Sequence, residues 1–294
     1  VQALRGAAGG FYLPAAAGLL PQIVARRDLG RANAIVRITK SSTLIVGAGC
    51  GGLLVGFLGP TWGLVADGMS YAVAGGLRWF MRLDGVGPAP KRTILTDLRT
   101  GWSAFVSRTW LWVAVLQLSA VAAFFQSTMN VLGPILTSTS YDGPKTWGFL
   151  TMASGLGAVV GGLIIMRFPP RRLLLWGCVT ILVIPVYFLA LALMLPAPVL
   201  LVLALFAGAA NEPMNIGLDT AIQSEIPPHT ISRVSAYDQL GGYGLAPVGV
   251  LIAGPLVAAF GIEWALAVCG VTIIVITVAA LCVPDIRRLE RAHA

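Results

Sequence analysis

Charge is what this chain has least of. Only 11% of its 294 residues are Asp, Glu, Lys or Arg, against 57% hydrophobic residues, where a soluble domain carries about 25% charged residues. An ordinary soluble globular fold is thereby excluded, as the mean hydropathy of +0.84 also requires. Histidine is nearly absent, and the four cysteines, Cys50, Cys178, Cys269 and Cys282, stand singly inside apolar runs. Neither a disulfide framework nor a zinc site fits that spacing, and no metal or other cofactor is expected. Gly-x-x-x-x-Gly-Lys-Ser/Thr, His-Glu-x-x-His and Gly-x-Ser-x-Gly are all missing, so neither nucleotide hydrolysis nor hydrolytic chemistry is expected and the chain does not read as an enzyme. Alternating barrel-type strands are also missing.

What is there is a series of long apolar runs. A helix of about 20 residues crosses a hydrocarbon core about 30 Å thick, and Gly, Pro and charge breaks mark nine such spans. They fall at approximately 4–24, 38–58, 62–82, 110–136, 146–167, 172–195, 198–222, 236–260 and 263–284. The reading is an all-α multi-pass membrane protein whose main partner is the lipid bilayer.

The net charge of +8 would point to nucleic acid in a soluble domain; here the placement of the charges argues against it. Eighteen of the twenty Lys and Arg residues, among them Arg31, Arg37, Arg99, Arg167, Arg171, Arg172 and Arg233, sit in every second loop and in the C-terminal tail. The intervening loops, such as "FLGPTW" and "LPAPV", are short and nearly uncharged. By the positive-inside rule the basic loops and the C-terminus are expected to be cytoplasmic, which places the chain in the cell membrane.

An internal repeat is also visible. Shifting the chain by 202 positions lays Arg31, Ala34, Gly47, Gly52, Gly59, Trp62 and Gly68 on Arg233, Ala236, Gly249, Gly254, Gly261, Trp264 and Gly270. Spans one to three therefore repeat as spans seven to nine. Spans four to six lack counterparts, and the symmetry predicts three further helices ahead of Val1.

Two six-helix halves joined by a basic connector are the architecture of the major facilitator superfamily, and this chain resembles its fourth to twelfth helices. The stretches "RGAAGGFYLPAAAGLLPQIVARRDLGRANA", "GAGCGGLLVG", "DLRTGWSAFV" and "QSEIPPHTISRVSAYDQLGGYGLAPVGVLIAGPLVAAFG" carry the resemblance, which is nearest to the branch of the enterobactin exporter and macrolide efflux proteins. It implies a secondary transporter working by alternating access that exports a small amphiphilic compound of the drug, macrolide or siderophore class. Protons would be the coupling ion, and a monomer the working form. Uptake by the same fold and an inactive remnant are the competing readings. The implied organisation is 1–83 for the last helices of the first half, 84–109 for an amphipathic connector, 110–285 for the second half and 286–294 for a basic tail.

Ionisable residues inside a bilayer cost about 2.5–3.5 kcal/mol each on insertion scales, so those left after loop assignment are the leading candidates. They are Arg5, Asp67, Glu212 and Asp219. In the seventh span Glu212, Asn215, Asp219 and Gln223 are spaced i, i+3, i+7 and i+11 and share one helical face, beside the helix-kinking Pro213. Counting about 1.5 Å per residue inward from Glu225 puts Glu212 about 20 Å deep and Asp219 about 9 Å deep. Glu212 is the leading proton or cation site; its plainer alternative is a structural carboxyl satisfied by Asn211 or a neighbouring helix. Asp219 reads equally as a cytoplasmic gate residue and as an interfacial charge. Asp67 reads as a structural partner. Arg5, in Arg5-x-x-Ala8-Gly9, resembles the fourth-helix arginine of proton-driven exporters but lacks the following glutamine.

Gln117, Gln126 and Asn130 in the fourth span, with Asn215, Tyr237 and Tyr243, are candidate linings of a substrate cavity, and interhelical hydrogen bonding or plain packing is their alternative. Arg167, Arg171 and Arg172 resemble the second copy of the superfamily's cytoplasmic gating loop, with Met166 where an Asp usually stands; Arg233 belongs to the matching basic set. Small residues let membrane helices approach closely, and Gly47, Gly51, Gly52, Gly157, Gly161, Gly249 and Gly254 are the expected packing faces. The second-span run resembles the antiporter motif, with Gly47-Ala48 in place of its Gly-Pro step.

Overall fold

The computed structural model describes residues 19–79 and 94–289. Those residues are almost wholly helical, and no strand occurs among them. After a single turn at Leu20–Ile23, the helices are α1 (Leu29–Leu58), α2 (Pro60–Trp79), α3 (Ile94–Val106), α4 (Thr109–Ser127), α5 (Gly133–Ser140) and α6 (Pro144–Arg167). They are followed by α7 (Leu173–Ile181), α8 (Val183–Ala192), α9 (Ala197–Glu225), α10 (Pro228–Phe260), α11 (Ile262–Cys282) and the short α12 (Pro284–Arg288).

Among the described residues, five helical runs are long and apolar enough to cross a membrane: Thr109–Ser140, Lys145–Arg167, Leu173–Ala192, Ala197–Glu225 and Ile262–Cys282. They coincide with the fourth, fifth, sixth, seventh and ninth expected spans. Pro247–Phe260 is a shorter apolar stretch inside the eighth. The second and third expected spans are the helices α1 and α2, with α1 starting nine residues earlier than its span, at Leu29. Most of the first span, including Arg5, lies outside the described residues.

Two expected spans are interrupted, each for a proline. Pro134 has no N–H to offer the Asn130 carbonyl, and the chain widens there into a π turn over Thr128–Leu132 between α4 and α5. Pro185 deprives the Ile181 carbonyl of its donor, and α7 stops at Ile181 before α8 resumes at Val183. The long α9 and α10 instead absorb Pro213, Pro247 and Pro255 within continuous helices.

The repeat seen in the sequence is physical. The α1–α2 and α10–α11 junctions fall 202 positions apart, and each is a single glycine, Gly59 with φ +87° and Gly261 with φ +81°. At both places only a residue without Cβ turns the chain cheaply into the next helix.

The described chain falls into two compact units, Val1–Ile38 with Thr93–Ala294 and Thr39–Arg92. The first 10 residues of α1, up to Ile38, thus group with the helices of the expected second half, and the division falls inside α1 instead of in the connector. In the larger unit α6 packs on α9, α10 on α4, α7 on α9 and α8 on α11. Its interior is built from Leu111, Leu136, Ile181, Tyr187, Phe188, Leu200, Met214 and Leu266, all nearly or fully buried. Since lipid is as apolar as these side chains, close backbone approach holds such helices together. A Cβ on Gly157 would meet the Leu205 carbonyl, one on Gly161 the Ala209 carbonyl, one on Gly208 the Ser154 carbonyl and one on Gly249 the Ala123 carbonyl. At Gly47 and Gly254 nothing among the described residues lies within 4 Å of a Cβ built there, so among those residues neither makes the close approach expected of it. The surroundings of Gly51 and Gly52 are outside the described residues.

Candidate functional site

The polar face of α9 meets the start of α1. Three residues of α9 and two of α1 form an interlocking set, because Asn33 and Arg37 are i, i+4 and present one face. Arg37 Nη2 lies 3.0 Å from Asp219 Oδ2, and its Nε donates to the same oxygen at 3.3 Å. One turn away, Asn33 Nδ2 donates to Thr220 Oγ1 at 3.0 Å and to Gln223 Oε1 at 2.8 Å. Gln223 Nε2 answers with a 3.3 Å bond to Asn33 Oδ1. Asn33, Thr220 and Gln223 are buried, at 4%, 4% and 6% exposure, so their hydrogen bonds are shielded from water. Glu212 and Asp238 add their fields to that of Asp219 at the Arg37 guanidinium. The result is an arginine–carboxylate pair at a seam between helices, with two further carboxylates acting on it at longer range.

Glu212 itself is 6% exposed on α9, beside Pro213. Asn215, one turn further along, is half-buried and donates to the Asn211 carbonyl at 2.8 Å. Thr180 of α7 donates to the Ala210 carbonyl at 2.9 Å, a hydrogen bond between neighbouring helices. Glu212, Asp219 and Gln223 were legible from their spacing. Arg37, Asn33 and Asp238 were missed. Arg37 counts among the loop cations in a topology reading, one residue before a span, and Asp238 stands only two residues inside the eighth; the i, i+4 pairing of Asn33 with Arg37 was the available signal.

The other candidates separate. Gln117 is 1% exposed and spent inside the bundle, with Nε2 donating to Thr277 Oγ1 at 3.2 Å and Oε1 accepting from Cys178 Sγ at 3.2 Å. It joins α4, α7 and α11, the interhelical alternative to a cavity role. Gln126 and Asn130 are exposed at the π turn, where Asn130 Nδ2 donates to the Gln126 carbonyl at 2.9 Å. Tyr237 departs from a cavity role: its hydroxyl donates to the Leu98 carbonyl at 2.8 Å, and its ring lies 5.4 Å from Trp102 and 5.8 Å from Phe105. The expected connector helix is α3, and this aromatic clasp together with Gly101 against Arg233 fastens it to α10. The side chain of Tyr243 and all of Arg5 lie outside the described residues. Asp67 is exposed on α2. Arg167, Arg171 and Arg172 are exposed around the α6–α7 turn, with the Arg167 guanidinium 5.3 Å from the centre of the Phe168 ring.

Known proteins resemble this chain in sequence and fold. The sequence pattern described as Major Facilitator Superfamily matches residues 1–247. The multidrug efflux pump Tap of Mycolicibacterium fortuitum is 27% identical over 99% of this chain and 74% of its own length. Tap of Mycobacterium tuberculosis (strain ATCC 25618 / H37Rv) is 26% identical over 99% of this chain and 71% of its own length. An uncharacterized MFS-type transporter of Bacillus subtilis, YvqJ, is 24% identical over 98% of this chain. Among solved structures, a bacterial homologue of the iron transporter ferroportin in its outward-facing state superposes with a TM-score of 0.67 at 16% identity, covering 90% of this chain and 66% of that one. That likeness is one of fold.

Proposed function

The chain belongs to the Major Facilitator Superfamily of transporters, and on that premise we propose that it is a proton-coupled exporter of small amphiphilic compounds working by alternating access in the cell membrane. The observation that carries the proposal is the seam where Arg37 of α1 pairs with Asp219 on the polar face of α9 that also bears Glu212. An exporter of this kind needs a carboxylate whose proton affinity differs between its two states. Arg37 beside Asp219 is a charge whose approach or withdrawal would supply such a difference.

In this reading Arg37–Asp219 and the Asn33–Thr220–Gln223 bonds close the cytoplasmic side. Glu212, deeper along the same helix by about 10 Å from Asp219, exchanges the proton, and Asn215, Gln126 and Asn130 face the path of the compound. The similarity to pumps named for multidrug efflux supports an amphiphilic cargo. The basic loops and C-terminus lie on the cytoplasmic side by their charge, and a monomer suffices. Everted membrane vesicles from cells making the protein test this. On building an inward-acid gradient they should accumulate a fluorescent lipophilic dye, and a protonophore should discharge it. Accumulation only in right-side-out vesicles would make it an uptake permease, and no protein-dependent transport in either orientation would remove the transport reading.

A further inference from the structure

A second feature lies away from that seam. Between α6, α7, the start of α8 and α9 runs a groove of about 660 Å³, lined by Ile164, Phe168, Trp176, Val183, Phe206 and Pro213. Its walls are open to the surroundings: Ile164 is 52% exposed, Phe168 69%, Trp176 54% and Phe206 55%. Arg171 is the charged residue of the lining and stands at one end, with Arg167 and Arg172 exposed in the same turn. The groove offers almost nothing to a polar ligand, because the Thr180 hydroxyl in its wall already donates to the Gly177 and Ala210 carbonyls at 3.0 and 2.9 Å.

Shape and charge together define the occupant. It must have an apolar chain for a trough that runs about 10 Å along α9 from Phe206 to Pro213, and an anionic head for a guanidinium fork. A cationic amphiphile would meet the arginines head on. Trp176 beside the arginines is the residue type that settles at the headgroup level of a bilayer. We propose that this groove seats an acyl chain of an anionic phospholipid, with its phosphate on Arg171. The proposal rests on the membrane placement of α6, α7 and α9 and not on transport, so a transport-inactive protein would still bind the lipid.

Quenching of Trp176 by brominated lipids tests it. The signal is the fluorescence of the protein minus that of the Trp176→Phe variant, in vesicles of phosphatidylcholine carrying a small fraction of brominated phosphatidylglycerol or brominated phosphatidylcholine. At low salt the anionic lipid should quench about fivefold more effectively at equal fraction, the factor one membrane-surface arginine supplies. Arg171→Gln, together with Arg167→Gln, should bring the two lipids level; Arg171→Lys, which keeps the charge and loses the fork, should fall between. These side chains are exposed, so folding should survive their replacement. Equal quenching by both lipids in the unaltered protein would overturn the proposal, as would competition by millimolar glycerol phosphate, which would make the site one for a soluble anion.

Discussion

Arg37 is three-quarters shielded from solvent, at 25% side-chain exposure, and Asp219 is 31% exposed. A charge so placed is held by its partners and is costly to leave behind when they go. Arg37→Gln and Asp219→Asn should each weaken the α1–α9 seam, and a double-mutant cycle read by thermal unfolding in detergent should return a coupling of about 0.5–3 kcal/mol. Additive effects would mean that the pair does not hold the seam. Glu212→Gln mimics the permanently protonated acid: drug binding should persist while pH-driven efflux falls at least tenfold, and unchanged coupling would take Glu212 out of the proton path. Much of this constellation is written in the α9 periodicity, because spacing alone puts Glu212, Asp219 and Gln223 on one face. Their partners are less legible. A basic residue at the rim of a span looks the same whether it orients the helix or pairs across a seam, and only the three-dimensional approach of α1 to α9 distinguishes the two uses.

At the scale of elements, glycine is the residue whose role diverges most between sequence and structure. Gly157, Gly161 and Gly254 sit in similar apolar runs, yet a Cβ at the first two would collide with the backbone of α9, whereas Gly254 has open space around it. Gly157→Ala and Gly161→Ala should each destabilise by about 1–3 kcal/mol, the usual cost of overpacking. Gly254→Ala should be neutral or stabilise by up to about 1 kcal/mol through helix propensity. Thermal unfolding of the purified variants in one detergent gives the comparison, and equal losses at the three sites would show that the close approach of α6 and α9 is not what the glycines provide. A glycine motif thus announces that some helix face is smooth without saying which neighbour uses it. The breaks in the helices were partly readable in the same way: Pro134 and Pro185 mark where hydrogen bonds must fail, but whether the chain answers with a π turn, a stop or an unbroken helix, as at Pro213, depends on how neighbouring helices pack there.

For the whole molecule, the 202-residue repeat and its paired glycine turns at Gly59 and Gly261 were legible in sequence because identical backbone demands select identical residues. Where one compact unit gives way to the next was not, since that depends on contacts between residues 190 positions apart, as Asn33 and Gln223 are. The first turns of α1 group with the later helices, and in the proposed cycle the rocking of one half of the repeat against the other would break the Asn33–Thr220–Gln223 bonds and the Arg37–Asp219 pair. Tying the seam shut should therefore stop transport without harming the fold. Asn33→Cys with Thr220→Cys replaces a 3.0 Å side-chain contact, and the exposed Cys282 is changed to Ser to avoid stray pairing. Oxidation should close the disulfide and reduce dye accumulation by everted vesicles to background, and a reductant should restore it; variants carrying only Asn33→Cys or only Thr220→Cys should respond to neither reagent. Efflux that continues with the disulfide fully formed would mean that α1 and α9 travel together through the cycle, and the moving seam would then have to be sought inside α1, beyond Ile38.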